Sequence, residues 1–72
     1  MLLGEKMQSV RDYIQSAKDE LSKGNQAAGL LKCGVAMGII TTIDTASGTV
    51  REFVDTKLSE VKSIALVCGG VR

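Results

Sequence analysis

Apolar residues recur along the first third of the chain at alternating spacings of four and three, the heptad pattern of an amphipathic helix. The positions between them are mostly Lys, Gln, Ser, Arg, Asp and Glu, as expected for a solvated helix face. Lys23 followed by Gly24 and Asn25 is typical of a helix end with a left-handed stop. The pattern predicts a first helix over about residues 2–23. Its apolar seam consists of Leu3, Met7, Val10, Ile14, Ala17 and Leu21.

The middle of the chain differs in kind, because residues 26–43 read QAAGLLKCGVAMGIITTI and carry a single charge, Lys32. A helix that is apolar all round must be buried on most sides, by protein or by lipid. Gly34 and Gly38 form a small-xxx-small pair that lets another backbone approach closely. We predict a second helix over about residues 26–43, with Gly34, Gly38 and Ile39 in its contact surface.

A buried strand over residues 35–43 is the alternative for the second half of this segment. Residues 39–43 read IITTI, and isoleucine and threonine favour extended structure. The helix is preferred because no second stretch of comparable β character exists in the chain to pair with such a strand.

The sequence DTASG at residues 44–48 has the composition of a turn. Thr49 with Glu52 three residues later matches a capping box, so a third helix is predicted over about residues 49–68. Gly69 and Gly70 are expected to end it and leave a short tail, Val71 and Arg72. The apolar seam of this third helix consists of Val50, Val54, Leu58, Val61, Ala65 and Cys68.

A continuous second and third helix is the alternative to that turn. Ile39, Ile43, Ala46, Val50 and Phe53 keep a helical spacing through it, and a helix could carry Gly48 at a cost of about 1 kcal/mol. The predicted fold class is therefore all-α, as a helical hairpin or a three-helix arrangement that forms one small domain over residues 1–72.

Composition limits what such a domain can do alone. A chain of 72 residues has a small core, and Tyr13 and Phe53 are its only aromatic residues, so an intermolecular interface adds much of the missing buried area.

Nine basic and eight acidic residues give a net charge of +1 with no basic stripe, which argues against nucleic-acid binding. The first residues turn charged at Glu5, unlike a signal peptide, which favours an intracellular location or one within an assembled particle.

Residue types for catalysis are scarce. The chain has no His and no CxxC motif, so we predict that it is not an enzyme and has no catalytic, cofactor-binding or metal site. Asp44 is the one acid in an apolar neighbourhood, and we interpret it as a turn or cap residue. Cys33 and Cys68 are predicted to be buried, reduced thiols, with a disulfide that staples the second helix to the third as the alternative.

Together these features predict a structural or assembly protein, such as a component of a particle, filament or virion, that packs apolar helix faces against copies of itself or a larger complex. The alternative is a small membrane-associated protein, although the charge-free run of residues 33–43 is shorter than the roughly 20 residues of a spanning helix. The predicted interface residues are Leu3, Met7, Val10, Ile14, Ala17, Leu21, Gly34, Gly38, Ile39, Val54, Leu58 and Val61.

Overall fold

The computed structural model describes residues 2–69 and contains three α-helices: α1 (Leu3–Ser22), α2 (Gln26–Ile40) and α3 (Gly48–Cys68). The predicted all-α class is confirmed, in its three-helix form. The two alternatives are wrong, because residues 41–47 separate α2 from α3 and the described residues contain no strand. The predicted tail, Val71 and Arg72, and Gly70 before it lie outside the described residues.

The turn between α1 and α2 is a Schellman motif. Gly24 adopts a left-handed φ of 82°, which a residue without a Cβ accepts readily. Its N–H donates to the Leu21 carbonyl at 3.0 Å, and the N–H of Asn25 donates to the Glu20 carbonyl at 2.8 Å. The predicted left-handed stop is therefore confirmed, and it turns the chain back so that α2 can pack on α1.

The helices run up, down and up. Lys6, at the start of α1, donates through Nζ to the carbonyl of Thr42, which follows α2, at 3.1 Å, so α1 and α2 are antiparallel. Arg11 lies 5.1 Å from the centroid of the Phe53 ring. Lys18, two turns further along α1, pairs with Glu60 at 2.7 Å, so α3 runs alongside α1 in the same direction.

The second helix ends at Ile40, before the predicted end at about residue 43, and local hydrogen bonds stabilise this earlier end. The hydroxyls of Thr41 and Thr42 donate to the carbonyls of Gly38 and Ile39, each at 2.7 Å, and cap the last turn. Asp44 Oδ1 then accepts the N–H of Ala46 at 3.0 Å, an Asx turn that confirms the interpretation of Asp44 as a turn residue.

The start of α3 differs from the predicted capping box. The N-cap is Ser47, in an extended conformation with φ −81° and ψ 136°, and its carbonyl accepts the N–H of Arg51 at 2.9 Å. Thr49 therefore lies inside the helix, and the capping box of Thr49 with Glu52 is wrong.

The core contains only small and medium-sized side chains. Tyr13 and Phe53 pack at its edge and are partly buried, so aliphatic and thiol groups fill the centre. Ile43, 7% exposed, closes the end of the bundle at the link between α2 and α3. The buried core residues are Val10, Ile14, Ala17, Cys33, Ala36, Ile40, Ile43, Val50, Val54, Val61, Ile64 and Cys68.

Candidate interaction surface

The outward face of α2 carries an open apolar groove, here called the outer groove. It has a volume of about 490 Å³. Its large side chains point toward solvent, because Leu30 is 45% exposed, Leu31 70% and Val35 37%. The lining residues are Ala27, Leu30, Leu31, Gly34 and Val35.

Helical periodicity puts this groove opposite the core. Gly29, Cys33, Ala36 and Ile40 recur at spacings of three and four and are buried against the other helices. The groove residues fall on the other side of the same helix. Since α2 is apolar on both sides, packing the bundle buries one face and leaves the other in water.

The one charge of α2 lies beside the groove instead of in it. The ammonium of Lys32 is 5.6 Å from the centroid of the Tyr13 ring on α1, at cation–π distance. Lys32 is therefore directed along the α1 side of the helix, and the residues that line the outer groove are all uncharged.

The glycines of α2 have two different environments. A Cβ on Gly34 or Gly38 would meet nothing within 4 Å, so neither glycine makes a close helix contact inside the chain. At Gly29 a Cβ would lie 2.8 Å from Cys68 Sγ and 3.3 Å from the Ala17 carbonyl oxygen. Within the bundle the neighbouring helices therefore come close to α2 at Gly29, a position that the sequence did not single out. The available signal was that Gly29 precedes Cys33 by four residues and so lies on the same buried face of α2.

The predicted interface residues fall into two groups. The first group is buried inside the single chain, so these side chains have no surface to offer a partner: Val10, Ile14, Ala17, Val54 and Val61. The second group is partly or largely exposed, and its place in an interface with another chain stays a prediction: Leu3, Met7, Leu21, Gly34, Gly38, Ile39 and Leu58.

Four residues of the outer groove were absent from the sequence prediction, namely Ala27, Leu30, Leu31 and Val35. The signal for them was their spacing of three and four around Gly34. In a segment where nearly every position is apolar, that spacing does not distinguish the outward face from the inward one.

In the part of the chain that the structure describes, two titratable groups depart from their ordinary pKa. A hydrogen bond from Lys18 lowers the pKa of Glu60 against the opposing effect of burial, with help from the charges of Lys18 and Lys57. Burial raises the pKa of the Cys33 thiol, and the neighbouring Cys68 adds to the rise. Both cysteines are free thiols, and their predicted burial is confirmed.

Over the described range, residues 2–69, no group of three or more His, Cys, Asp or Glu is placed to hold a metal ion. Within the same residues, no buried side-chain nitrogen or oxygen lacks a hydrogen-bond partner. None of the three helices combines the length and apolar character that crossing a membrane requires.

No protein-family model, curated protein or solved structure matches the chain. Function is therefore inferred from the outer groove and the bundle that presents it.

Proposed function

We propose that this chain is a non-enzymatic assembly protein whose outer groove packs against a helix of another protein chain. One observation carries the proposal: Leu30, Leu31 and Val35 stand 45%, 70% and 37% exposed around Gly34 on a single helix face. Fully burying a leucine or valine side chain contributes about 1.5 to 3 kcal/mol, so covering this face supplies a substantial driving force for association.

The lining residues of the groove all lie on one face of α2. A second helix suits such a face, because helices pair by fitting the side-chain ridges of one into the grooves of the other. Gly34 leaves open space between Leu30, Leu31 and Val35, where a ridge of a second helix can lie close to the backbone. Such contacts are suited to a component of a larger particle or filament.

The alternative role, attachment to a membrane surface, uses the same exposed leucines. A helix that lies in the lipid interface usually carries many lysines and arginines on its polar face. The only cation of α2 is Lys32, which is directed over Tyr13. The charge distribution therefore supports a protein partner over a lipid surface.

Site-specific photo-crosslinking tests the proposal. A photoreactive amino acid is placed at Leu31, in the groove, and in a control chain at Glu52, an exposed position on α3. After illumination in cells that produce the chain, we expect discrete protein adducts from position 31 and none of the same size from position 52. Adducts to lipid alone, or no adduct from position 31, would contradict the proposal and, in the first case, support the membrane role.

A further inference from the structure

We infer that two copies of this chain exchange α3. In the exchanged dimer the link between α2 and α3, residues 41–47, is helical, and α3 of each copy packs on α1 and α2 of the other. The single chain keeps its three separate helices. The inference is independent of the proposed function, because the outer groove lies opposite the buried side of α2 and takes no part in the exchange.

The buried residues of α2, the link and α3 keep one heptad register. Two separate helices need no common register, since a link of any length could join them. Here Ile43, in the link, continues the register of Ile40 and leads in phase to Val50, so one straight helix would present a single apolar stripe. Every buried residue after α1 belongs to this series, in which only Ser47 and Lys57 are polar. The series is Gly29, Cys33, Ala36, Ile40, Ile43, Ser47, Val50, Val54, Lys57, Val61, Ile64 and Cys68.

Little of the link must change for the helix to continue. The N–H of Ile43 still donates to the carbonyl of Ile40, three residues back, at 3.1 Å, and the Ser47 carbonyl already accepts the first hydrogen bond of α3. Residues 44–46 lie between these bonds, none of them is buried, and the chain contains no proline. Helix across residues 44–46 adds less than one turn.

The exchange preserves the directions in which the helices pack. In the single chain α3 runs antiparallel to α2 and parallel to α1. When α2 and α3 form one straight helix, a two-fold axis through the link makes the two long helices antiparallel and sets α3 of one copy beside α2 of the other. Each α3 then makes on the other copy the contacts that it makes in the single chain.

The exchanged interface is part of the core instead of a surface patch. Each chain gives the other the whole buried face of α3, namely Val50, Val54, Val61, Ile64 and Cys68. Interfaces that resemble a divided domain core are the apolar kind found in obligate dimers. Since the same core contacts hold the single chain and the dimer together, the helical preference of the link and the protein concentration set the balance between them.

Zero-length crosslinking of isotopically mixed protein tests the exchange. Light and heavy chains are unfolded together, refolded at millimolar concentration and separated by size, and a carbodiimide then joins Lys18 to Glu60, whose charged atoms are 2.7 Å apart. In the dimer fraction we expect about half of the Lys18–Glu60 peptides to join a light chain to a heavy one, and none in the monomer fraction. Lys57 and Glu60, 3.6 Å apart within α3, give the internal control, because their link always lies in one chain.

Gly48→Ala tests the helical link. Gly48 is the first residue of α3 in the single chain, where an added Cβ meets nothing within 4 Å, but it lies inside the long helix of the dimer. Alanine favours a helix interior over glycine, and each dimer contains two such positions, so we expect the dissociation constant of the dimer to fall about tenfold. Gly4→Ala is the matched control: Gly4 lies near the start of α1 in both forms, its Cβ also meets nothing, and the constant should not change.

Three results would overturn the inference. The first is a wild type that stays monomeric after refolding at millimolar concentration. The second is a dimer whose Lys18–Glu60 links all lie within one chain, which is the result for two copies that pair through their outer grooves. The third is an exchanged dimer whose dissociation constant responds equally to Gly48→Ala and Gly4→Ala, because its link would then not be helical. None of these results changes the photo-crosslinking expected from position 31.

Discussion

The sulfur of Cys68 lies only 2.8 Å from the point where a Cβ on Gly29 would stand. The Ala17 carbonyl oxygen is 3.3 Å from the same point, so all three helices converge at a position that only glycine fits. This close contact lies on the inward face of α2, opposite the face that carries Gly34 and Leu31.

Gly29→Ala should destabilise the fold by about 1 to 3 kcal/mol, because the new methyl group overpacks a site bounded by a backbone carbonyl and a short side chain. The intrinsic helix preference of alanine recovers at most about 1 kcal/mol of this loss. Chemical denaturation, followed by far-UV circular dichroism at a concentration where the chain is monomeric, measures the effect.

Two further variants serve as controls for the effect of Gly29→Ala. Gly38→Ala, where the added Cβ meets nothing, should raise the free energy of unfolding by about 0.5 to 1 kcal/mol. In the double variant Gly29→Ala with Cys68→Ala, removal of the sulfur should recover part of the stability lost at Gly29. Purely additive losses in the double variant would show that Sγ is not the clashing group.

The two thiols should react slowly. Cys33 is 2% exposed and Cys68 6%, and the pKa of Cys33 is raised, which lowers the fraction of reactive thiolate. We expect a thiol reagent to modify neither until the protein is denatured, and Cys→Ala at either position to cost about 1 to 2 kcal/mol. Counting modified thiols by mass spectrometry with and without denaturant checks this. Non-reduced protein that is lighter by two protons, and that loses stability when reductant is added, would instead establish a disulfide.

The ion pair of Lys18 with Glu60 should make a small, pH-dependent contribution to stability. Because the folded state lowers the pKa of Glu60, the stabilisation is present above the pKa of the unfolded chain and is lost as pH falls through the folded pKa. Glu60→Gln should therefore lower the free energy of unfolding at neutral pH by about 0.2 to 1 kcal/mol, the range for a solvent-accessible pair, because both side chains are only partly buried. Denaturation curves at neutral and acidic pH measure the difference.

Glu52→Gln, an exposed change on the same helix, is the control for that pair and should show a smaller effect at neutral pH. If Glu60→Gln and the wild type differ by the same amount in strong acid as at neutral pH, the effect does not come from the carboxylate charge.

A charge in the α1 seam should unfold the chain. Val10 is fully buried, so Val10→Asp places an unpaired carboxylate in the core, and we expect loss of helical circular dichroism at every protein concentration. Leu31→Asp makes a similar change at a side chain that is 70% exposed, and it should retain the helical spectrum. A folded, monomeric Val10→Asp variant would mean that the seam is buried between chains instead of within one.

The sequence by itself determined the all-α class and the place where α1 ends. The α1 seam is flanked by charged and amide side chains, and Gly24 marks the helix end, so periodicity and local turn chemistry sufficed there. The turn role of Asp44 was equally local, since an Asx turn needs only that carboxylate and an N–H two residues away.

Only the tertiary structure decided how the apolar residues are shared between core and surface. The spacing of Ile39, Ile43 and Val50 also fitted one long helix, whereas in the structure α2 ends at Ile40 and Ile43 is buried in the link that follows. In α2 both faces are apolar, so its sequence contains no contrast that marks the inward side. Contacts between distant parts of the chain, among them that of Gly29 with the sulfur of Cys68, bury one side of α2 and leave Leu31 and Gly34 on the other.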